Sequence, residues 1–421
     1  MKGAYPWYVL AVLFVVYVVN FVDRQILAIV LDDVKADLGV SDTAMGFLSG
    51  FAFVMFYTLA GLPIARLADR RSRRTIVAVG LAVWSAMTAL CGLAQTFAQL
   101  ALARVGVGIG EAAGTPPSHS LLSDYFPPER RATALSLYAM GIYVGVMLGY
   151  LAGGFIREAF DWRTAFLAVG LPGIPLALLV RATVREPARG LSEGAAAASP
   201  DPTAAAPRVT EVLRRLRDRR SFVWLTVGAC CQALSGYAVL AWGPAFLGRV
   251  HGMSAAEIGT SVGIVTGVCG ALGAWLGGVL VDRLSRRDVR WAMWLPAGVS
   301  ALGFPFAIPF YLSAQPGAAI AAFAPFYLLG AMYVGPLWAT AQNLVRPDMR
   351  ALTSAILLVI LNLVGLGAGP LVVGILNDAM APRLGAEAIR WSLLAMAATG
   401  ALATPFFWLA ARALPGDLAR R

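Results

Sequence analysis

Charged side chains are scarce in this sequence, and their scarcity argues against a soluble globular protein. Asp, Glu, Lys and Arg together make up 14% of the 421 residues, whereas hydrophobic residues make up 59%. A soluble protein of this length would need more charge to cover its surface. We therefore expect most of the surface to contact lipid.

Histidine and cysteine are also rare, which argues against a metal or disulfide protein. The sequence has two histidines, His119 and His251, and its four cysteines lie inside apolar runs without Cys-x-x-Cys spacing. This pattern predicts neither a zinc site nor a disulfide framework, and we expect no cofactor. A membrane-embedded lipid enzyme is an alternative of another class. Ser118 and His119 lack a partnered acid at helical spacing, so we do not expect catalysis.

Long apolar runs fill the remainder of the chain and predict twelve membrane-spanning helices. A span needs roughly 20 apolar residues, and the long apolar stretches supply twelve such runs. The first begins near Trp7 without a small-residue cleavage site, so we expect a retained span and not a signal peptide. The predicted fold is an all-α membrane protein with six-helix bundles at 1–184 and 221–421. The linker at 185–220 ends in a basic stretch, where we expect a short surface helix.

The basic residues are distributed as membrane topology requires, which also accounts for the net charge of +11. With the N-terminus in the cytoplasm, 26 of the 34 Lys and Arg residues fall on the cytoplasmic side and six on the opposite side. Such a bias sets the orientation of a membrane protein. We therefore expect both termini in the cytoplasm and no nucleic-acid partner.

Two loops at corresponding positions of the halves carry the same acidic-basic motif. Asp69 and Arg70 follow span 2, and Asp282 and Arg283 follow span 8. Repeated six-helix halves joined by a long loop are typical of secondary transporters. An acid at a helix end can accept charge-assisted hydrogen bonds from a guanidinium such as that of Arg131, which would make these residues a cytoplasmic gate motif. The alternative is a topology signal alone.

Glycines recur at regular spacing in two of the predicted spans. Gly141, Gly145, Gly149 and Gly153 follow one another every four residues in span 5, and small residues at this spacing let helices approach closely. The Gly-x-Gly-x-Gly run at 106–110 lies inside an apolar helix with no strand before it. That context rejects a nucleotide-binding loop.

Four charged residues lie inside predicted spans, where charge is expensive and often functional. Asp23 and Arg24 are in span 1, and Arg104 and Glu111 are in span 4. At about 1.5 Å per residue, Asp23 lies about 13 Å and Arg104 about 10 Å below the outer surface, so we predict an ion pair between them. Glu111 lies two turns beyond Arg104, and Asn20 shares the face of Asp23. The alternative is a set of structural ion pairs between neighbouring helices.

The predicted spans of the second half contain no charge and offer polar and aromatic candidates instead. The candidate substrate-contacting residues there are Gln232, Tyr237, Trp242, Tyr333, Trp338, Gln342, Asn343 and Asn362. Each alone is more often a packing residue. A charged half combined with an aromatic half, however, suits an amphipathic substrate with an anionic head.

The repeated gate motif and the glycine-rich fifth span resemble those of the major facilitator superfamily, although Ala65 and Ser72 stand where its motif has glycines. Within the superfamily, the runs at 20–27, 104–112 and 117–131 resemble bacterial Spinster-type transporters. The resemblance implies alternating access, with proton coupling at the first-span and fourth-span acids identified above and substrate handling by the arginines beside them. It also implies a monomer in the bacterial inner membrane, with protons, membrane lipid and a lysophospholipid-like or sphingosine-phosphate-like substrate as partners.

Two alternatives to this function stay open. The anion:cation symporters of the same superfamily also carry Asp-Arg in the first span and Arg…Glu-Ala in the fourth, and they move sugar acids. An organic-anion/proton symporter is therefore a second interpretation. A receptor that binds a ligand without transporting it is a third.

Overall fold

The structure, a computed structural model, describes residues 3–188, 209–346 and 349–419. Every regular element in these ranges is helical. Ten helical segments are long and apolar enough to cross a membrane. One of them, Leu352–Ala419, contains two consecutive spans, and the predicted fourth span consists of two helices that are each shorter than a bilayer. The helices therefore account for the twelve predicted spans.

Spans 1 to 6 are built from single helices or from pairs of helices separated by short breaks. Their bounds are Tyr5–Ile29 (span 1), Asp42–Ser49 and Phe51–Arg70 (span 2), Arg73–Cys91 (span 3), Phe97–Glu111 and Thr115–Tyr125 (span 4), Pro128–Ala139 and Gly141–Ala159 (span 5), and Trp162–Gly170 and Gly173–Thr183 (span 6). A short helix, Leu31–Leu38, joins spans 1 and 2. It ends at Gly39, whose φ of 62° is the left-handed conformation that glycine adopts without strain.

Spans 7 to 12 follow the linker in the same way, and two of them contain a π-helical segment. Their bounds are Arg220–His251 (span 7), Ala255–Ile264, Val265–Cys269 (π) and Gly270–Leu284 (span 8), Trp291–Leu312 (span 9), Pro316–Ala331 and Val334–Asn343 (span 10), Arg350–Leu361, Asn362–Ala368 (π) and Gly369–Leu384 (span 11), and Ala388–Ala419 (span 12). A 3-10 turn, Gly385–Glu387, joins spans 11 and 12. The surface helix expected in the linker is confirmed as Val209–Arg217, called the linker helix below.

The helices form two compact units. The first contains the described residues up to 40, residues 52–188 and residues 254–263. The second contains residues 41–51 and the described residues of 209–253 and 264–419. Spans 2 and 8 are thus each divided between the units.

Glycines place span 5 against span 1 in the first unit. A Cβ atom on Gly145 would lie 2.6 Å from both the backbone oxygen of Val18 and the Cβ of Phe21, and one on Gly149 would lie 2.9 Å from the Cβ of Gln25. These distances leave no room for a side chain. The close packing predicted from the four-residue glycine spacing is therefore confirmed.

The glycines at 106–110 pack span 4 between two neighbouring helices. A Cβ atom on Gly108 would lie 2.7 Å from the backbone oxygen of Phe53 in span 2. One on Gly110 would lie 2.7 Å from the backbone nitrogen of Trp84 in span 3. The run therefore sets how span 4 is rotated, and with it the direction of its two charged side chains.

A polar cluster in the second unit fastens the first helix of span 2 to spans 7 and 11. Arg249 donates two hydrogen bonds to the Asp42 carboxylate, with N–O distances of 2.6 and 3.0 Å. Asn377 donates a third to it, at 3.0 Å. The Asp378 carboxylate accepts hydrogen bonds from the backbone N–H groups of Asp42 and Thr43, which caps the N-terminus of this helix from another span.

Candidate functional site

The four charged residues predicted inside the membrane lie in the first unit and are largely buried. Asp23 is 0%, Arg104 is 2% and Glu111 is 1% exposed, and the side chain of Arg24 is 18% exposed. An isolated charge at such depth is strongly destabilised. Each must therefore find an opposite charge or a hydrogen bond nearby.

Arg24 and Glu111 form a direct ion pair between spans 1 and 4. The Nε atom of Arg24 lies 2.6 Å from Oε2 of Glu111. The Arg24 guanidinium also lies over the rings of Phe21, Phe53 and Tyr57, at 4.9, 5.1 and 5.2 Å from their centroids, a geometry that favours the cation. The pair is therefore held by aromatic faces as well as by charge.

Asp23 and Arg104 lie within electrostatic reach of each other but form no hydrogen bond among the described residues. Oδ2 of Asp23 accepts a hydrogen bond from the Thr88 hydroxyl at 3.2 Å, and its Oδ1 is buried without a donor. The Nε and Nη1 groups of Arg104 are buried without an acceptor, while its guanidinium lies 5.5 Å from the Phe53 centroid. The structure therefore joins the four charges in one cluster, in which Glu111 pairs with Arg24 and no ion-pair contact joins Asp23 to Arg104.

Asp23 and Arg104 thus leave buried polar atoms of this cluster without a hydrogen-bond partner. Most buried polar groups in proteins have a hydrogen-bond partner, and leaving one without costs about 1–3 kcal/mol. An acid oxygen without a donor can receive a proton, and a guanidinium without an acceptor can receive an anionic group. Asn20, which is 4% exposed, interacts with Glu111 and so extends the cluster along span 1.

Thr88 of span 3 is a contact that the sequence analysis did not identify. It lies eight residues before Thr96, where the next helix begins to return, and Asp23 lies nine residues before Asp32. The two therefore have similar depth at about 1.5 Å per residue. Matched depth is the signal that would have pointed to Thr88 as a partner of Asp23.

A second charged network, also missed from the sequence, lies where span 3 begins and where spans 4 and 6 end. Arg73, which is 1% exposed, donates to Glu186 at 2.8 Å and to the backbone oxygen of Pro187 at 3.1 Å. It also forms a short ion pair with Asp124 and a 2.9 Å hydrogen bond with the Ser120 hydroxyl. An acid in the last turn of span 4 and another shortly after span 6, together with the basic loop after span 2, were the available signal.

Burial raises the pKa of Glu186, but hydrogen bonds from the Arg74 amide, the Arg73 guanidinium and the Ser72 hydroxyl outweigh it. The net result is a pKa below the ordinary value of a glutamate. Glu186 is therefore held as a carboxylate, which attaches the start of the linker to the beginning of span 3.

The residues of the predicted gate motif are placed only in part. Arg70, Asp282 and Arg283 are exposed and Arg131 is half-buried, whereas the side chain of Asp69 lies outside the described residues. Asp282 has no hydrogen-bond or ion-pair partner among the residues that the structure describes. The latch remains a prediction.

The aromatic candidates of the second half differ in what they contact. Trp242 is 0% exposed, and its indole N–H donates to the backbone oxygen of Pro370 at 2.9 Å. Tyr237, Tyr333 and Trp338 are partly buried and pack against the apolar core of this unit. These three therefore keep part of their surface available for a ligand.

The amides of the second half complete the set of candidates. Gln232 donates to the Ser300 hydroxyl at 2.5 Å, and Gln342 donates to the Ser354 hydroxyl at 3.1 Å. Asn343 is exposed. Asn362 is 8% exposed and is the first residue of the π-helical segment of span 11.

Ser118, the residue considered as a nucleophile, belongs to the structure of span 4. It is 0% exposed, and its hydroxyl donates to the backbone oxygen of Gly114 at 2.7 Å. His119 contacts the ring of Tyr138 with a centroid distance of 5.3 Å. Neither contact orients a base toward the hydroxyl, as nucleophilic catalysis requires.

Comparison with known proteins gives a family and several relatives. Residues 13–370 match the model of the Major Facilitator Superfamily. The chain is 35% identical over 413 residues to an MFS-type efflux pump of Mycolicibacterium smegmatis, an alignment that covers 98% of this chain and 94% of that protein. It is also 28% identical over 305 residues to the probable galactarate/D-glucarate transporter of Bacillus subtilis, which covers 68% of this chain and 67% of the relative.

A solved structure supports the same assignment. It is a bacterial homolog to the human lysosomal transporter Spinster, in an inward-facing and unoccupied conformation, with 31% identity, a TM-score of 0.90 and 99% of each chain covered. A family match over most of the chain, joined to this near-complete structural match, shows that the chain belongs to the Major Facilitator Superfamily and is related to its Spinster transporters.

Proposed function

We propose that this membrane transporter is proton-coupled and moves an amphipathic anion by alternating access. The observation that carries the proposal is the incomplete charge cluster of the first unit. Buried Arg104 has two guanidinium N–H groups without an acceptor, and buried Asp23 has an oxygen without a donor. One can receive an anionic group and the other a proton.

The two acids have different parts in the proposed cycle. A proton can bind to the free oxygen of Asp23 without breaking the hydrogen bond from Thr88. Glu111 also has an oxygen without a partner, Oε1, but its Oε2 is bound to Arg24 at 2.6 Å, and that adjacent cation favours the ionised carboxylate. We propose that protonation of Asp23 changes the field at Arg104, and that Arg24 and Glu111 exchange partners when the substrate binds.

The proposed substrate has an anionic head and an apolar tail, as in lysophospholipids or sphingosine phosphates. Arg104 supplies the cation for the head. In the second unit, the candidates for contact with an apolar group are the partly buried rings of Tyr237, Tyr333 and Trp338, with Asn362 as a polar candidate. The substrate class is the one that the resemblance of this sequence to Spinster-type transporters implies.

We further propose a monomer in the bacterial inner membrane with both termini in the cytoplasm. The support is the distribution of Lys and Arg, with 26 on one predicted side and six on the other. The bacterial origin of two of the relatives above is consistent with this location.

A symporter of sugar acids and protons is the second candidate function. The specific observation in its favour is the 28% identity to the probable galactarate/D-glucarate transporter. Glucarate has two carboxylates and no apolar tail, so it would use Arg104 but would gain little from the aromatic residues of the second unit. Uptake assays in proteoliposomes with lysophospholipids and with glucarate distinguish the two candidates.

The test of proton coupling combines substrate binding with proton flux in proteoliposomes. Asp23→Asn should abolish transport driven by a pH gradient while leaving substrate binding within about twofold, because the amide resembles the protonated acid. Glu111→Gln should lower the rate more than the affinity. Transport by Asp23→Asn with the pH dependence of the parent would contradict the assignment.

Asp33→Asn is the matched control for loss of a carboxylate in the same unit. Asp33 pairs with Arg157 and has a 35% exposed side chain, so it lies outside the buried cluster. This variant should retain pH-driven transport. Equal loss in Asp33→Asn and Asp23→Asn would show that any change of charge in this unit damages the protein.

A further inference from the structure

The linker helix is firmly attached to the second unit by one edge. Val212 and Leu216 are 0% and 1% exposed and belong to a core cluster with Phe222, Met293 and Leu344. These three residues lie near the ends of spans 7, 9 and 10. The helix is therefore held against the ends of several spans.

A second apolar edge of the linker helix is uncovered. Val209 and Leu213 are 51% and 45% exposed. At about 100° per residue, they continue the buried stripe of Val212 and Leu216 around the helix, and Arg217 follows next to Leu213. An uncovered apolar edge with arginines beside it is typical of a helix that lies in a membrane interface.

The basic residues of this segment are not neutralised by the protein. Arg214, Arg217 and Arg220 are exposed and Arg215 is half-buried, and none of the four forms an ion pair or hydrogen bond with a described residue. Arg219 differs, because it donates to the backbone oxygen of Asp417 at 2.8 Å. Four positive charges are thus available on and directly after the linker helix.

The first turn of span 7 holds the arginines of the linker helix close to the membrane boundary. Asp218 and Arg219 alone separate the linker helix from Arg220, where span 7 begins. The Asp417 carboxylate accepts hydrogen bonds from the backbone N–H and the hydroxyl of Ser221, both at 2.7 Å. The first turn of span 7 is therefore capped and ordered, which leaves little freedom for the linker helix to move away from the bilayer.

We propose that the exposed face of the linker helix binds the headgroups of anionic phospholipids in the adjoining leaflet. Leu213 and Val209 would enter the boundary between headgroups and acyl chains, and Arg214 and Arg217, which continue this exposed side of the helix, would contact lipid phosphates. Charge complementarity selects an anionic over a zwitterionic lipid, since each arginine near an anionic surface contributes roughly fivefold in affinity. This surface is separate from the buried charge cluster and does not depend on what the protein transports.

The test is native mass spectrometry of the full-length protein with phosphatidylglycerol and phosphatidylcholine of identical acyl chains. The parent should retain phosphatidylglycerol in preference to phosphatidylcholine. The double variant Arg214→Gln, Arg217→Gln should lose affinity for phosphatidylglycerol by about 25-fold. Leu213→Ser should weaken both lipids, because it removes the apolar contact and no charge.

The matched control is the double variant Arg286→Gln, Arg287→Gln in the loop after span 8. It removes two exposed arginines from the same unit but leaves the amphipathic helix unchanged, so it should retain phosphatidylglycerol. Equal loss in both double variants, or equal retention of the two lipids by the parent, would overturn the proposal. Displacement of bound lipid by millimolar glycerol phosphate would also overturn it, because the site would then be one for small anions.

Discussion

At the scale of single residues, the sequence predicts which charges meet but not which of them pair. Depth along a helix follows from residue counting, and it places Asp23 and Arg104 at a common level. Adjacent residues point about 100° apart around a helix, so Asp23 and Arg24 face different neighbours. The rotation of span 1 against spans 3 and 4 decides that Asp23 meets Thr88 and that Arg24 meets Glu111. That rotation depends on packing between helices and cannot be counted from the sequence.

We expect Arg104→Ala to weaken substrate binding by about 10- to 100-fold, because it removes a buried guanidinium that has free donors. Arg104→Lys should restore part of the affinity through its charge, but not the forked geometry that holds a carboxylate or phosphate. Equilibrium binding to the purified protein measures both effects. Parent-like affinity in Arg104→Ala would place the anionic head elsewhere.

Glu186 gives a prediction of stability against pH. Its pKa in the folded protein is below the ordinary value, so its contribution is complete above the ordinary glutamate pKa and is lost as the pH falls through the folded pKa. Glu186→Gln should therefore lower the midpoint of thermal unfolding at pH 5 to 8 by a constant amount. The difference from the parent should shrink below about pH 4.

Thermal unfolding in detergent between pH 3 and 8 measures this difference. Glu211→Gln is the control, because Glu211 is an exposed glutamate of the linker helix and has no part in the Arg73 network. A constant difference between Glu186→Gln and the parent down to pH 3 would contradict the assigned role.

At the scale of helices, glycine spacing predicted that span 5 packs closely against a neighbouring helix, because a helix repeats its faces at fixed intervals. The partner of the stripe could not be predicted in the same way. Nor could the π-helical segments Val265–Cys269 and Asn362–Ala368, since an extra residue in a turn leaves no periodic signal in an apolar run. The two segments lie in corresponding spans: span 8 is the second of spans 7 to 9, and span 11 is the second of spans 10 to 12. π-Helical turns are frequent at functional sites.

Substitution of the glycine stripe should separate spans 1 and 5. Gly145→Ala places a Cβ atom 2.6 Å from the backbone oxygen of Val18, so the helices must shift, at a cost of about 1–3 kcal/mol. Gly236→Ala in span 7 is the matched control, because a Cβ atom there meets nothing within 4 Å. The thermal unfolding midpoint should fall for Gly145→Ala and stay level or rise for Gly236→Ala. A parent-like midpoint in Gly145→Ala would show that the contact tolerates a methyl group.

At the scale of the whole molecule, the twelve spans were predictable because apolar length is a local property of the sequence. The division of the chain into compact units is not local. Residues 41–51 group with the second unit through contacts such as that of Asp42 with Arg249 and Asn377, which are distant in sequence.

Orientation in the membrane is the last prediction, and it depends on charge alone. The excess of Lys and Arg on one side places the loop after span 1 outside and the linker in the cytoplasm. Ala36 and Ala188 are exposed residues of these two segments. In a parent whose four cysteines are replaced, Ala36→Cys should react with an impermeant maleimide added to intact cells. Ala188→Cys should react only after the cells are opened. Reaction of both from the same side would require an even number of spans between them, whereas the assigned topology has five, and would overturn that topology.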